Sequence, residues 1–368
     1  MDKTNTFLLD SGVAAGLVLA LLLVIGLDKL MSGSTTTAPI QEVKKSEPRP
    51  LQIAVTPTQN DNLGKWDDMG KLLDSLGKGY RYTEFPLRDL TDAKKLAKYD
   101  VVFLTCAPGG TETAVTENLR EYVSNGGTLY ASDWRYDCIA HAFPDFKAKN
   151  LVSDGKPQRV EAKVLDPGLR DIIGATITLR FDLSKWKTAA FGGDRVKVLV
   201  EGEYEKQFGG TAVAPLLVKF QFGKGSVIFT SFHNEKQNDE LETKLLKYLV
   251  FSAVMAKTEA QVTETMIKGG FSPQKSNLLS ASSDDKIVQT YRNKKGGRLR
   301  FVLGFEDRGA SLQLIVVGPD GKTHEKTGTS TIIIDVPNAP VGDWRYTVTP
   351  VHIPYPDFPF TLTVGESE

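Results

Sequence analysis

From Leu51 onward the chain alternates short apolar runs with segments of helical periodicity. Leu51-Gln52-Ile53-Ala54-Val55 and Asp100-Val101-Val102-Phe103-Leu104 predict buried strands, and residues 66–76 between them carry apolar side chains at helical spacing. Residues 113–123 predict a helix stopped by Asn125-Gly126-Gly127, and Thr128-Leu129-Tyr130-Ala131 predicts the next strand. Strand and helix in strict alternation predict an α/β, doubly wound, mostly parallel sheet. Past Lys149 the pattern is less regular, with strands expected over 159–164, 175–179 and 196–200. Residues 216–222 and 226–232 read as a hairpin turned by Gly223-Lys224-Gly225, and 239–255 as a closing helix.

The periodicity changes twice more. Residues 258–283 are polar and loosely helical, which predicts a linker. From Lys286 short alternating strands follow one another at 287–291, 298–305, 311–317, 331–336, 342–350 and 360–364. Turns such as Gly318-Pro319-Asp320-Gly321-Lys322 and Pro337-Asn338-Ala339-Pro340 separate them, which predicts a C-terminal antiparallel β-sandwich. At the other end, residues 11–27 carry no charge and, at about 1.5 Å per residue, nearly span the ~30 Å hydrocarbon core of a bilayer. They predict one N-terminal transmembrane helix rather than a cleaved leader, because Asp2 and Asp10 spoil a basic n-region and Asp28-Lys29-Leu30-Met31 is a poor cleavage site. The expected organisation is an anchor at 1–31, a flexible linker at 32–50, an α/β domain at 51–257, a linker at 258–284 and the sandwich at 285–368. Lys29, Lys44 and Lys45 against Lys3 favour a single-pass membrane protein with a cytoplasmic body over a periplasmic or extracellular one.

Composition narrows the function classes. The 368 residues contain 45 Lys plus Arg and 45 Asp plus Glu, so no net field recruits nucleic acid. Two cysteines, Cys106 and Cys138, are too few for a disulfide-built scaffold, although one bridge between them is compatible with their spacing.

Candidate chemistry starts at Val227-Ile228-Phe229-Thr230-Ser231-Phe232-His233-Asn234-Glu235, an apolar strand running into a His-x-Glu pair. An acid beside an imidazole can orient and charge-stabilise it as a base. Upstream lie the loop Cys106-Ala107-Pro108-Gly109-Gly110 and the sharp turn Ala131-Ser132-Asp133-Trp134-Arg135. In this order the segments resemble the class I glutamine amidotransferase-like fold, nearest its trehalose-utilisation-type branch, over residues 51–257. The resemblance implies an oxyanion amide from the glycine loop at Gly109 and Gly110, a cysteine at the elbow, and a triad completed by His233 and Glu235. The elbow departs from that pattern: it has no cysteine at its tip and no flanking glycines to permit a strained turn. The catalytic candidates are therefore His233 and Glu235 with Ser132, Asp133 or Cys138 as nucleophile. Cys106, Gly109, Gly110, Trp134, Arg135 and His233 are the ligand-binding candidates. No metal is expected, because no second His, Cys or carboxylate stands at ligand spacing from His233, and no cofactor is implied.

Residues 314–321 followed by Val341-Gly342-Asp343-Trp344-Arg345-Tyr346 resemble the carbohydrate-binding-like or pre-peptidase C-terminal type of sandwich, in which Gly-x-Trp opens a core strand. Asp307, Asp320 and Asp343 read as solvated turn residues rather than calcium ligands. Three functions compete on this sequence. The favoured one is a membrane-anchored, non-catalytic amidotransferase-like binding or scaffolding protein that assembles with protein partners or as a homo-oligomer. The second is a membrane-tethered hydrolase or amidase, and the third a carbohydrate-binding envelope protein. A small-molecule or glycan ligand stays open for all three, and a nucleic-acid partner is excluded on charge.

Overall fold

The computed structural model describes residues 50–57, 67–148, 154–234, 237, 239–306 and 308–367. All of them fall in one unit, Glu47–Glu368. The expected membrane span at 11–27 lies outside the described residues, and among these no helix is long and apolar enough to cross a membrane. The single-pass membrane localisation expected from sequence is corrected on that finding.

The first half runs β1 (Ile53–Val55), α1 (Met69–Leu76), β2 (Tyr82–Glu84), α2 (Ala93–Leu96), β3 (Val101–Leu104), α3 (Thr113–Ser124), β4 (Thr128–Ser132), α4 (Tyr136–Ala142), β5 (Gln158–Val164), α5 (Pro167–Ile173), β6 (Thr176–Phe181), β7 (Val196–Glu205), β8 (Thr211–Phe222), β9 (Gly225–Thr230) and α6 (Glu240–Val254). Its nine strands form one sheet in the order β2-β1-β3-β4-β9-β8-β7-β5-β6. The first five pair in parallel, whereas β8, β7, β5 and β6 join by antiparallel ladders. The sheet is thus mixed, not mostly parallel. The antiparallel half follows from its connections, since the β8–β9 hairpin needs only a tight glycine turn whereas a parallel crossover needs a dozen residues or more.

Period-two alternation sorts the parallel strands between two cores. Ile53, Val55, Val101, Phe103, Tyr130 and Ile228 point to the face covered by α1, α5 and α6. Ala54, Val102, Leu104, Leu129, Ala131 and Phe229 point to the face covered by α2, α3 and α4. The helices start where the sequence supplies caps. The Asp68 side chain accepts from the Lys71 amide, Asp166 from Leu169 ahead of Pro167, and Asp239 with Glu242 forms a full capping box. The turn after α3 needs glycine at Gly127, where an added Cβ would lie 2.3 Å from the Tyr122 ring.

The second half consists of α7 (Ala256–Lys268), β10 (Phe271–Ala281), β11 (Ile287–Asn293), β12 (Gly297–Gly304), β13 (Ser311–Val317), β14 (Thr323–Gly328), β15 (Ile332–Ala339), β16 (Gly342–His352) and β17 (Phe358–Ser367). Two four-stranded antiparallel sheets, β10-β17-β12-β15 and β11-β16-β13-β14, enclose a core of Phe301, Leu303, Leu314, Trp344, Tyr346 and Phe360. Asp320 pairs with Lys322 and Asp343 with Arg292, while Asp307 lies outside the described residues.

The linker expected at 258–284 is instead α7 and β10. Helix α7 buries Val262 and Met266 against Phe271 and Val302 of the sandwich, while its Glu259 pairs with Lys219 of β8. Asp171 of α5 binds Asn277 and Lys275 of β10 at 3.0 and 2.8 Å. Tyr80 donates its hydroxyl to the Asp357 carbonyl at 2.7 Å. The apparent polarity of 258–283 belongs to its solvent face, where Gln261, Thr263, Glu264, Lys268 and Gln274 are exposed, while Val262, Met266, Phe271 and Leu278 are buried.

Trp344 is 1% exposed, and its Nε1 donates to the Pro340 carbonyl at 3.2 Å. Trp344→Ala should cost about 3–5 kcal/mol, read as a lower midpoint of urea unfolding at unchanged m, and Trp344→Phe clearly less. Equal, small losses for both variants would show that the indole does not fill the sandwich core.

Candidate functional site

The parallel strands carry the order 2-1-3-4-9, and a doubly wound sheet with this crossover pattern gathers its loops at the carboxyl ends of the strands. Four segments meet there: Asp67 between β1 and α1, Thr105 to Gly110 after β3, the elbow after β4, and His233-Asn234 after β9.

Asp67 is fully buried and holds these segments together. Its Oδ2 accepts from the Ser132 hydroxyl in a short bond and from the Cys106 amide at 3.4 Å, while its Oδ1 accepts from the Asn234 amide at 3.2 Å. One carboxylate thus ties the ends of β3, β4 and β9 to the start of α1. Sequence reasoning missed Asp67, whose only local signal was its place just ahead of the helix cap Asp68.

The elbow forms without glycine. Ser132 is extended, Asp133 turns the chain at φ 44°, and one 3-10 turn over Asp133–Arg135 leads into α4. A positive φ costs an L-residue about 1–2 kcal/mol, least for Asn and Asp, whose short polar side chains bond locally. Here Asp133 Oδ1 accepts from the Lys187 amide at 2.6 Å. The expectation that the missing glycines preclude a strained turn is corrected, and Asp133 occupies its tip.

The Asp133 carboxylate faces inward. Its Oδ2 lies 3.0 Å from His233 Nε2 and 3.9 Å from Cys106 Sγ. The 3.0 Å separation is an ion-pair distance, yet Nε2 has no hydrogen-bond partner among the described residues, so its N–H direction and the oxygen are misaligned. On the other side of the ring, Nδ1 lies 3.3 Å from Oδ1 of Asp182, just past the end of β6. Glu235, the acid expected for this imidazole, lies outside the described residues. Among the described residues, Asp182 is the acid that faces Nδ1.

Burial by itself would lower the His233 pKa, but the Asp133 and Asp182 carboxylates and the Cys106 thiol outweigh it and raise it well above the usual value. Desolvation pushes the Asp133 carboxyl up, with His233 opposing. The Cys106 thiol is also pushed up by burial and partly held down by His233.

The remaining candidates separate. Ser132 is buried with its hydroxyl committed to Asp67. Cys138 faces the core under α3 and α4, and burial pushes its thiol up to about 12 although Arg135 opposes; it is corrected as a nucleophile. Both cysteines are free thiols, not a bridge. Arg135 is buried beneath the glycine loop and donates to the carbonyls of Thr105 at 2.9 Å and Gly109 at 3.2 Å. Gly109 and Gly110 sit at φ 87° and 84°, and a Cβ on Gly110 would come within 3.1 Å of Cys138 Sγ. Trp134 lies at the rim and donates Nε1 to the Lys185 carbonyl at 3.2 Å. Cys106, Asp133 and His233, which no spacing in the sequence linked, come together from three strand ends.

No protein-family profile matches the chain, and no curated protein matches its sequence. Among solved structures it is similar to a ThuA-like protein of Bacteroides uniformis at TM-score 0.42 and 13% identity, covering 59% of this chain and 96% of that one. A second ThuA-like protein, from Parabacteroides merdae, gives 0.41 and 13%, covering 57% and 91%. A GMP synthase-type protein of Thermoplasma acidophilum gives 0.41 and 14%, covering 58% and 98%. Likeness this distant leaves the chemistry of the site to its own geometry.

Asp67→Ala strands a hydroxyl and two amides in a buried setting and should cost at least about 3 kcal/mol, whereas Ser132→Ala should cost about 1–2 kcal/mol. Denaturant unfolding of the two variants separates them. Equal costs would mean that Asp67 does not bind the strand ends together.

Proposed function

We propose that this chain is a non-catalytic, amidotransferase-like binding module whose function lies on its surface rather than in turnover at the elbow. The observation that carries this reading is the state of Asp133: fully buried, with Oδ1 bonded to the Lys187 amide and Oδ2 against His233. A nucleophile needs a free lone pair, an approach path and a base within hydrogen-bond reach. Asp133 has the base, but it is fully buried and one of its oxygens is held by the Lys187 amide. Ser132 and Cys138 are each committed elsewhere.

The docking of the sandwich through α7, β10 and Asp357 supports the same reading. It makes two layered bodies into one continuous platform, suited to holding a protein partner or a second copy of the chain. The competing function, a hydrolase using Asp133 as nucleophile with His233 and Asp182, draws its support from the chain of short distances Asp133–His233–Asp182.

Assays of the full chain on glutamine, p-nitrophenyl esters and simple amides, in chelator and with added Zn2+, decide between them. We expect no hydrolysis above buffer under either condition, and no difference between the parent and His233→Ala. Turnover that falls roughly 100-fold or more in both His233→Ala and Asp133→Asn would establish the hydrolase instead.

A further inference from the structure

We propose that Cys106, Asp133 and His233 form a binding site for a zinc-type transition-metal ion at the carboxyl edge of the parallel strands. The thiol sulfur, a carboxylate oxygen and a ring nitrogen of these residues lie within 4.8 Å of one another. Two of the separations are 3.9 Å, from Sγ to Oδ2, and 3.0 Å, from Nε2 to Oδ2. An ion held tetrahedrally at about 2.0–2.3 Å places its ligand atoms roughly 3.3–3.8 Å apart. Side-chain shifts of up to about 1 Å therefore convert the cluster into a coordination shell. Thiolate, imidazole and carboxylate together suit Zn2+ or Co2+, whereas Ca2+ and Mg2+ take oxygen ligands.

Independent features of the surroundings point to the same occupant. His233 is 3% exposed, and its Nε2 lies 3.0 Å from Asp133 Oδ2 in a contact too poorly aligned for a hydrogen bond, so among the described residues it is a poorly satisfied buried nitrogen that a bound ion would satisfy. Its Nδ1 faces Asp182 at 3.3 Å, and a carboxylate on the far nitrogen fixes the tautomer that presents Nε2 to a metal. Asp133 Oδ1 is anchored by the Lys187 amide, which leaves Oδ2 as the coordinating oxygen. Charge balances as well: a thiolate and a carboxylate sum to −2, and a divalent ion makes the buried centre neutral, where unpaired charge is costly. Three protein ligands leave one tetrahedral position for water or a small ligand.

The site goes beyond the non-catalytic reading and does not depend on it. The test is Co2+ titration of the full chain, stripped with chelator and kept reduced. We expect one ion per chain, a near-ultraviolet thiolate-to-cobalt charge-transfer band, visible bands of tetrahedral cobalt, and displacement of all of them by Zn2+. Cys106→Ser should lose the charge-transfer band, and His233→Ala should lose binding. Asp182→Asn, a positioning change, should weaken affinity about 10–100-fold while keeping the band, and Cys138→Ser should match the parent. If a ligand variant fails to fold by circular dichroism, the Asp182→Asn and Cys138→Ser pair still decides. Absence of Co2+ binding below ~1 mM, binding without the thiolate band, or loss of the band in Cys138→Ser would overturn the site. Hydrolysis that appears only with Zn2+ would overturn the non-catalytic reading and leave the metal site standing.

Discussion

A buried carboxylate that accepts bonds from three separate strand ends is the interaction on which the geometry of this protein's sheet edge rests. Asp67 takes the Ser132 hydroxyl and the amides of Cys106 and Asn234. Backbone donors at the ends of parallel strands have left the ladder and need a partner when water is excluded. A charged acceptor meets that need for several loops at once and sets their spacing. The position of the elbow relative to His233 follows from it, because Ser132 precedes Asp133 and Asn234 follows His233.

Within that frame, Asp133 turns an elbow geometry that elsewhere presents a nucleophile into an internal contact. Its left-handed backbone aims the carboxylate at His233, and the Lys187 amide holds it there. The imidazole lies between two acids, Asp133 and Asp182, with a thiol on its flank. The same arrangement that stabilises an imidazolium as an ion pair can, with Nε2 deprotonated, serve as a ligand set for a cation. Proton and metal are alternative solutions to one electrostatic problem, the excess of buried acceptors over donors.

The sandwich is joined to the α/β body by a continuous seam. Helix α7 packs Val262 and Met266 on one side and sends Glu259 to Lys219 on the other. Asp171 and Asp357 add charged and backbone contacts at two further points. A seam of this kind fixes the two layers against each other at several separate points.

The alternation of residues 51–55, 101–104 and 128–132 with helical segments determined the parallel half of the sheet, because period-two and 3.6-residue patterns follow from local geometry. Short alternating strands and proline-glycine turns likewise determined the sandwich, and Gly-x-Trp located its core tryptophan. Of the antiparallel half only the β8–β9 hairpin was legible, from its glycine turn; the pairing of β5, β6 and β7 was not, since their direction depends on how the chain returns. Residues 258–283 read as a linker because α7 buries only Ala256, Thr258, Val262 and Met266 and leaves a polar face exposed, too narrow an apolar stripe to stand out in the sequence. At the site, the sequence placed His233, Asp133 and Cys106 at strand ends and paired His233 with Glu235, which lies outside the described residues. The partners that the described residues supply to His233, Asp133 and Asp182, come from distant segments, and Asp67 reaches the neighbouring Asn234 across 167 residues. Local spacing fixes which face a side chain occupies. Only strand order and crossover fix which strand ends become neighbours, and that decided the chemistry of the site.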